Sequence, residues 1–292
     1  MEQTDLTGRI CLITGASSGI GRATATALAG MGATLVMVSR GGGECPNVAE
    51  EIRKSTGNDR VEFMPCDLSS LQSLRDFTIA FRSRHNLLNI LINNAGGVYK
   101  PRRESVDGFE MTFAVNHLAG FLLTNLLMPE LKAGAPSRII NVSSGAQAMG
   151  EIDFDDLQTT KKAYKPFGAY AQSKLANVLF AYELARRLDG TGVTANALHP
   201  GTVRTGFGDT TEGVMKFLLQ AIRPFLLTPE QGAATSIYLA SSLDVEKVSG
   251  KYFVNKKPTK SAPRTYDVDL ARRLWEVSEE LTGLKTEAAG RR

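Results

Sequence analysis

A tyrosine and a lysine stand four positions apart in residues 169–178, which read Ala-Tyr-Ala-Gln-Ser-Lys-Leu-Ala-Asn-Val. On a helix this spacing makes Tyr170 and Lys174 neighbours on one face. A free tyrosine has a pKa near 10, and a cation within about 4 to 6 Å lowers it. We therefore predict that Lys174 lowers the pKa of Tyr170, so that the phenol can exchange a proton with an alcohol or carbonyl oxygen. The helix is indicated by apolar residues recurring at spacings of three and four, namely Leu175, Val178, Leu179, Tyr182, Ala185 and Leu188.

By itself this spacing is also typical of an ordinary surface or core pair, so its interpretation depends on the rest of the chain. An apolar run at 10–13 is followed by a glycine-rich turn at 14–21 and a helical stretch at 22–31. Glycines permit a tight turn and let a phosphate approach bare backbone at the amino end of the helix. The alternative is that this segment is an ordinary tight turn between a strand and a helix, which binds no ligand. The predicted dinucleotide contacts in this turn are Gly15, Ser17, Ser18, Gly19, Ile20 and Gly21.

The end of the second predicted strand, at 33–38, indicates which dinucleotide binds. A carboxylate at this point would bind the ribose 2′-hydroxyl of NAD, whereas an arginine suits the 2′-phosphate of NADP. Residues 33–43 contain no carboxylate, and the strand is followed by Ser39 and Arg40. We therefore predict NADP(H) rather than NAD(H). The alternative is that Arg40 is only a solvated loop residue.

Polar or small residues also follow the other predicted strands, where ligands bind in open α/β sheets. Asp67, after the strand at 61–65, would either cap the next helix or contact adenine. A polar pair interrupts the apolar pattern of a long predicted helix at 106–132, which suggests either a kink or a function for Asn116. The further candidates are Leu68 beside Asp67, the loop residues Asn94, Ala95 and Gly96 after the strand at 89–92, His117 beside Asn116, and Ser143 and Ser144 after the strand at 138–142.

Strands and helices alternate along the chain, which predicts an α/β fold with a doubly wound parallel sheet, the Rossmann fold. We expect a single domain over residues 1–292, because no linker or change in composition divides the chain. The sixth strand, at 193–198, is followed by a lid predicted at about 202–228. Its apolar part, 214–227, suits a lipophilic ligand, although packing on the core, on a partner subunit or on a membrane surface are alternatives.

Composition excludes several classes of function. The net charge of +4 is spread through the chain with no basic cluster, so we expect no nucleic-acid partner. Cys11, Cys45 and Cys66 are widely spaced, which argues against a disulfide framework and against a metal site. We expect a soluble cytoplasmic protein, because no signal peptide or integral membrane segment is recognisable in the sequence.

Six of these elements occur in an order that resembles the classical short-chain dehydrogenase/reductase family. They are Thr-Gly-x-x-x-Gly-Ile-Gly at 14–21, Asn-Asn-Ala-Gly at 93–96, Asn116, Ser144, Tyr170-x-x-x-Lys174 and Pro200-Gly201. Within the family, the motifs around Phe113, Ser173 and Leu198 look most like the retinol dehydrogenase and WW-domain oxidoreductase branch. The resemblance covers essentially the whole chain.

The resemblance implies a role for each matching residue. Tyr170 would be the general acid/base, Lys174 would lower its pKa and bind the nicotinamide ribose, Ser144 would orient the substrate oxygen, and Asn116 would hold a water in a proton relay. Further cofactor contacts would come from Pro200, Gly201, Val203 and Thr205.

The sequence departs from the family pattern in two places. Ser17 and Ser18 stand in the glycine turn where many NADP-dependent members carry a basic residue, and the segment between Ser144 and Tyr170 is an insertion relative to the shortest members.

The resemblance implies an NADP(H)-dependent alcohol dehydrogenase or carbonyl reductase that acts on a lipophilic alcohol or carbonyl compound, as a homodimer or homotetramer. The alternatives are a regulatory protein that binds a dinucleotide without catalysis and a nucleotide-sugar epimerase or dehydratase. The epimerase reading would normally need a larger substrate domain than the residues after Gly201 supply.

Overall fold

The computed structural model describes residues 4–41, 45–202 and 227–284. Within these ranges the chain forms one eight-stranded sheet in the order β3-β2-β1-β4-β5-β6-β7-β8. All neighbouring strands are parallel except β7 and β8, which are antiparallel. The predicted doubly wound parallel sheet is thus confirmed, and the edge strand β8 is an addition that was not predicted. The strands are β1 Ile10–Thr14, β2 Thr34–Ser39, β3 Val61–Pro65, β4 Ile90–Asn93, β5 Ser137–Val142, β6 Val193–His199, β7 Tyr252–Val254 and β8 Lys257–Thr259.

Helices cover both faces of the sheet because successive strand residues point to opposite sides. Leu12 of β1 lies in a core on one face, whereas its neighbours Cys11 and Ile13 lie in a second core on the other. The first core contains residues of α3, α5 and α7, and the second contains residues of α1, α2 and α8. The helices are α1 Gly19–Gly30, α2 Cys45–Thr56, α3 Leu71–Arg82, α4 Met111–Phe113, α5 Ala119–Leu126, α6 Met128–Ala133, α7 Pro166–Arg187, α8 Pro229–Ser241 and α9 Val268–Thr282.

The helix predicted over 106–132 is in fact three helices. It begins at Met111, and a π-helical turn, Ala114–Leu118, separates α4 from α5. A second interruption at Leu127 separates α5 from α6. The π-helical turn contains Asn116, so the helix is irregular at the residue that interrupts the apolar pattern. Turns of this kind are common at functional sites.

Asp67 does not cap the following helix. The N-cap of α3 is Ser70, whose hydroxyl accepts the N–H of Ser73 at 3.2 Å. Asp67 instead accepts the N–H and the hydroxyl of Ser69, at 2.9 and 2.7 Å, in the turn after β3. The capping interpretation of Asp67 is therefore wrong, because the turn consumes three more residues before the helix starts.

The last helix is fixed by a cluster of aromatic rings. Trp275 of α9, the single tryptophan of the chain, is buried. Its ring centroid lies 5.0 Å from that of Phe121 in α5 and 5.7 Å from that of Phe180 in α7. The guanidinium of Arg187 stacks on the same indole at 4.1 Å. Such aromatic pairs are favourable beyond the area that they bury, so α9 is fastened to the helix that carries Tyr170.

Strand β1 lies between β2 and β4, so the strand order reverses at the β1–β4 pair. In open α/β sheets the carboxyl ends of strands at such a reversal form a crevice for ligands. The turn after β1, the loop after β4 and the serines after β5 all lie at this edge. The fold therefore gathers the candidate residues that the sequence distributes over the chain.

Candidate active site

The turn after β1 depends on glycine at three positions. Gly15 and Gly19 have φ angles of +67° and +53°, which side chains rarely allow. A Cβ on Gly15 would lie 2.9 Å from the Cα of Ala95, and a Cβ on Gly21 would collide with the carbonyl oxygen of Gly15. The turn is thus packed tightly against the loop after β4, and its backbone is bare toward the crevice.

The amino end of α1 suits an anion. Ser18 precedes the helix in an extended conformation, and within α1, which the structure describes completely, its side chain makes no capping hydrogen bond. The first turn of this helix contains no acidic residue. Unpaired N–H groups and the helix dipole favour negative charge at such an end. These observations fit a bound pyrophosphate, whose oxygens would accept hydrogen bonds from the N–H groups of this turn.

The loop after β4 braces the glycine turn. The side-chain amide of Asn94 donates to the carbonyl oxygens of Thr14 and Gly15, at 2.8 and 3.2 Å. In return the hydroxyl of Thr14 accepts the N–H groups of Asn94 and Ala95, at 3.0 and 3.1 Å. Asn94 therefore supports the conformation of the glycine turn. Thr14 was part of the quoted motif, but the sequence alone gave no reason to single it out.

Three candidates and one further residue surround the end of the crevice where the adenosine would lie. Ser39 is half-buried at the end of β2, and Arg40 after it is exposed. The pKa of Tyr99 is raised by its burial, while Arg40 lowers it and Asp67 raises it electrostatically. Tyr99 therefore lies within electrostatic reach of both groups. Tyr99 was not among the predicted residues, because a tyrosine after a loop motif has no distinctive spacing.

Unlike the polar candidates, Leu68 has its side chain buried in the core that contains Leu12. Any contact of Leu68 with a dinucleotide would come from its backbone. Ile20 is half-buried at the start of α1.

Tyr170 and Ser144 meet at the edge of the sheet. The Ser144 side chain lowers the pKa of Tyr170, but burial raises that pKa by more. The ammonium of Lys174 lies over the tyrosine ring, 5.6 Å from its centroid, and its own pKa falls to about 8 through burial. The prediction that Lys174 lowers the pKa of Tyr170 is therefore wrong for this structure. Burial of the phenol outweighs the opposite effect of Ser144, and the Lys174 ammonium lies over the ring.

Lys174 is held by the strand that carries the two serines. Its ammonium donates to the carbonyl oxygen of Val142 at 3.1 Å, and its own carbonyl oxygen accepts the hydroxyl of Ser143 at 2.6 Å. Ser143 is thus occupied in fastening α7 to β5, whereas Ser144 faces Tyr170. A Cβ on Gly96 would lie 3.1 Å from the Lys174 ammonium and 3.2 Å from Oδ1 of Asn116. The loop after β4 therefore approaches Lys174 and Asn116 at the same point.

Asn116 links the same loop to α7. Its Oδ1 accepts the N–H of Gly97 at 2.9 Å, and its Nδ2 donates to the carbonyl oxygen of Gly97 and to the hydroxyl of Ser173, at 3.0 and 2.9 Å. Ser173 in turn donates to the carbonyl oxygen of Tyr170 at 2.7 Å. Since both Nδ2 hydrogens are used, the amide side chain of Asn116 could hold a water only through Oδ1.

The two histidines near the site act as neutral structural groups. His117 is buried between Asn177 and Ser278, and burial lowers its pKa to about 4. Burial also lowers the pKa of His199, whose Nδ1 accepts the N–H of Gly145 at 3.1 Å. His199 thus holds β6 to the 3₁₀ turn, Gly145–Met149, that Ser144 begins. Neither histidine is a good proton carrier at neutral pH, because each favours its uncharged form.

The remaining candidates follow β6. Pro200 and Gly201 are half-buried, and Gly201 has a φ angle of +87°. Val203 and Thr205 lie outside the described residues, as does most of the predicted lid. The residues that flank the undescribed range are close together, because the N–H of Leu227 donates to the carbonyl oxygen of Thr202 at 2.9 Å.

In the described ranges, no group of three or more His, Cys, Asp or Glu side chains could hold a metal ion. The polar groups at the crevice are instead a phenol, a hydroxyl, an ammonium and amides. Together they can bind a carbonyl or alcohol oxygen and move a proton to or from it.

Comparison with known proteins agrees with this geometry. The family model of short chain dehydrogenase matches residues 9–213. Human retinol dehydrogenase 13 is 45% identical over 295 residues, covering 97% of this chain and 87% of its own length.

Two solved structures show the same fold. An uncharacterised protein from Mycobacterium paratuberculosis is 33% identical with a TM-score of 0.77, covering 97% of this chain and 96% of its own. The Pseudomonas aeruginosa RhlG/NADP active-site complex is 26% identical with a TM-score of 0.67, covering 87% of this chain and 97% of its own. Both the sequence matches and the fold therefore point to one group of oxidoreductases. The chain belongs to the short-chain dehydrogenase family, in its retinol dehydrogenase branch.

Proposed function

We propose that the protein transfers a hydride between NADP(H) and a lipophilic carbonyl or alcohol compound, with Tyr170 as general acid/base. The observation that carries this proposal is the placement of the Ser144 side chain beside Tyr170, where it lowers the pKa of the phenol, with the Lys174 ammonium over the tyrosine ring. Two hydroxyls that meet at one point can both bind a carbonyl oxygen. The alternative, a regulatory protein without catalysis, would not require Tyr170, Lys174, Ser144 and Asn116 to be kept together.

Each residue has a step in the proposed mechanism. The nicotinamide, when bound, supplies the hydride that the carbonyl carbon accepts. Ser144 donates a hydrogen bond that orients the substrate oxygen, and Tyr170 protonates that oxygen. Lys174, whose ammonium lies over the tyrosine ring, would bind the nicotinamide ribose. Asn116 and Ser173 hold the backbone of Tyr170 and the loop at Gly97 in place.

The electrostatics provide the proton that reduction of a carbonyl compound consumes at neutral pH. Because burial raises the pKa of Tyr170, the phenol carries its proton and can donate it. The Lys174 pKa of about 8 leaves the ammonium largely charged at pH 7. A protonated acid next to a cation suits the formation of an alkoxide that must be protonated.

A lipophilic substrate is supported by apolar side chains near the tyrosine. The ring centroid of Phe167 lies 6.4 Å from that of Tyr170, and Phe167 is half exposed. Met149, at the end of the 3₁₀ turn that begins after Ser144, is also exposed. Exposed apolar groups at a catalytic crevice suit an apolar ligand. No helix in the described part of the chain is long and apolar enough to cross a membrane.

The first experiment is a substrate screen with purified protein. We expect NADPH consumption with aromatic and long-chain carbonyl compounds to exceed that with small hydrophilic aldehydes and sugars, measured as kcat/KM from NADPH absorbance. A reversed order would contradict the lipophilic substrate. The absence of turnover with every carbonyl and alcohol tested, despite NADPH binding, would favour the regulatory alternative.

The residues at the adenosine end fit a 2′-phosphate. Arg40 is exposed after β2, and a guanidinium can meet phosphate oxygens with two parallel hydrogen bonds. Asp67 follows β3 rather than β2, and residues 39–41 at the end of β2 contain no carboxylate of the kind that an NAD ribose would need. We therefore propose that Arg40 selects NADP(H), with Ser39 as its neighbour at the same edge.

The cofactor preference should reverse in the double variant Ser39→Asp with Arg40→Ala. A charged hydrogen bond contributes about 1.5 to 3 kcal/mol, which corresponds to roughly 10- to 100-fold in preference. An aspartate would also repel the phosphate and accept the ribose hydroxyls. The test compares kcat/KM for NADPH and NADH in both proteins. Arg60→Ala, at an arginine just before β3, is the matched control and should leave the preference unchanged. A parent protein that already prefers NADH would contradict the role of Arg40.

A further inference from the structure

Residues 150–165, between the 3₁₀ turn and α7, lie within the predicted insertion between Ser144 and Tyr170. It lies against the loop before α4, and the two meet at Glu110, whose side chain is 1% exposed. A buried carboxylate is expected to have several hydrogen-bond partners. The proposed reaction does not use Glu110 directly, so its burial requires another explanation.

Glu110 begins the helix that leads to Asn116. Its carboxylate accepts the N–H groups of Thr112 and Phe113, each at 2.8 Å. These bonds satisfy donors that the start of a helix leaves unpaired. The position of Glu110 therefore fixes where α4 and the π-helical turn after it begin.

The same carboxylate contacts the segment that leads to Tyr170. The hydroxyl of Tyr164 lies 3.0 Å from Oε1 of Glu110 and 2.8 Å from the carbonyl oxygen of Tyr99. Its single hydrogen is shared between these two acceptors. Tyr164 stands two residues before Pro166, where α7 begins. The Tyr164 hydroxyl thus links the loop after β4 to Glu110 at the start of α4, and it does so from the segment that leads into α7.

A second contact fastens the insertion. The N–H of Glu110 donates to Oε1 of Gln158 at 2.7 Å, and Nε of Arg102 donates to the carbonyl oxygen of Gln158 at 3.1 Å. Gln158 and Tyr164 therefore bind Glu110 from the two ends of one short stretch. The turn between them is closed by Asp156, whose carboxylate accepts the N–H groups of Thr160 and Lys161.

We propose that Glu110 and Tyr164 form a latch that positions the helix of Tyr170 relative to the helix of Asn116. The proposal rests on the proposed function, because the distance that matters is the one between the proton donor and the cofactor loop. The same contacts hold residues 150–165 in one position beside the site. Neither residue touches the reacting atoms, so both are positioning residues.

Two single variants open the latch from opposite sides. Tyr164→Phe removes the hydroxyl and keeps the ring. Glu110→Asp keeps a carboxylate at the helix start, where aspartate is a preferred cap, but it is too short to reach Tyr164. We expect each to lower kcat by about 10- to 100-fold, since small misplacements of reacting groups have effects of this size. The KM for NADPH should change by less than about twofold, because the glycine turn is untouched.

The double variant separates a shared role from two independent ones. Because both changes break the same contact, Tyr164→Phe with Glu110→Asp should be no slower than the worse single variant. Lys162→Ala is the matched control, since it removes only the exposed ion pair with Asp153 in the same segment. Additive losses in the double variant, or a loss in KM alone, would overturn the latch.

Amide hydrogen exchange tests the latch without measuring turnover. In both single variants the amides of residues 158–164 and of the first turns of α7 should exchange about 10- to 100-fold faster, as expected for a lost hydrogen bond to a carboxylate. Unchanged exchange in these two regions would overturn the latch. A parent protein that reduces no carbonyl compound would refute the proposed function, and the exchange result would still decide whether the latch positions α7.

Discussion

Turnover should fall by about 10²- to 10⁴-fold when Tyr170 is replaced by phenylalanine, because only the transferable proton is lost. The ring remains, so the stacking with Lys174 and the packing on Phe167 are retained. The glycine turn and Arg40 are unchanged, so the Kd for NADPH should stay within about threefold of the parent. The measurement is kcat with the best carbonyl substrate, together with NADPH binding followed by fluorescence.

The control for this variant is Tyr182→Phe, on the same helix. It also removes a buried hydroxyl, which is hydrogen-bonded to Ser261 at 2.8 Å, but it lies three turns farther along α7. Its kcat should be close to that of the parent. Near-parental turnover of Tyr170→Phe would show that the proton comes from another group, and the proposed mechanism would be abandoned.

Lys174→Met should lose activity and gain stability. Burial lowers the pKa of Lys174 from 10.5 to about 8, which corresponds to about 3 kcal/mol of unfavourable free energy for the charged form. This penalty is complete below the folded pKa and vanishes above the unfolded pKa. The parent should therefore become more stable as the pH rises from about 8 to about 10.5.

At pH 7 the variant should be more stable than the parent by about 1 to 3 kcal/mol, and this advantage should disappear above pH 10.5. Part of the gain is offset by the lost hydrogen bond to the carbonyl oxygen of Val142, although the side chain of Asn177 still donates to that oxygen at 3.3 Å. Turnover should fall by about 10²-fold or more, with weaker NADPH binding.

Chemical unfolding at pH 7 and pH 10.5, with kcat and the Kd for NADPH, measures both effects. Lys132→Met, at an exposed lysine of α6, is the control and should change neither activity nor the pH dependence of stability. A Lys174→Met protein that is less stable than the parent at pH 7 would contradict the argument, since the buried charge would then not be costly. Stability gained where activity is lost is common at functional sites.

The sequence predicted the parts of this site that depend on local geometry. The glycine turn was recognisable because its tight backbone requires residues without a side chain at three positions, Gly15, Gly19 and Gly21, between a strand and a helix. Asn116 was recognisable because a polar residue inside an apolar helical pattern is unusual, and the π-helical turn there explains it. The doubly wound parallel sheet followed from the alternation of strands with helices.

The sequence could not predict properties that depend on burial and on distant contacts. The direction of the Tyr170 pKa shift is one, because the spacing of two residues gives the nearby charge but not its desolvation. The contact between Glu110 and Tyr164 is another such property. A glutamate before a helix and a tyrosine among lysines both suggest solvated positions, and nothing local shows that these side chains meet.

The aromatic cluster around Trp275 has a spectroscopic consequence. With one tryptophan in the chain, all indole emission comes from the seam between α9 and the helices that hold Phe121 and Phe180. The stacked guanidinium of Arg187 gives this fluorophore a distinct environment. Detachment of the carboxy-terminal helix can therefore be followed by its own optical signal, separately from melting of the sheet, without attaching a dye.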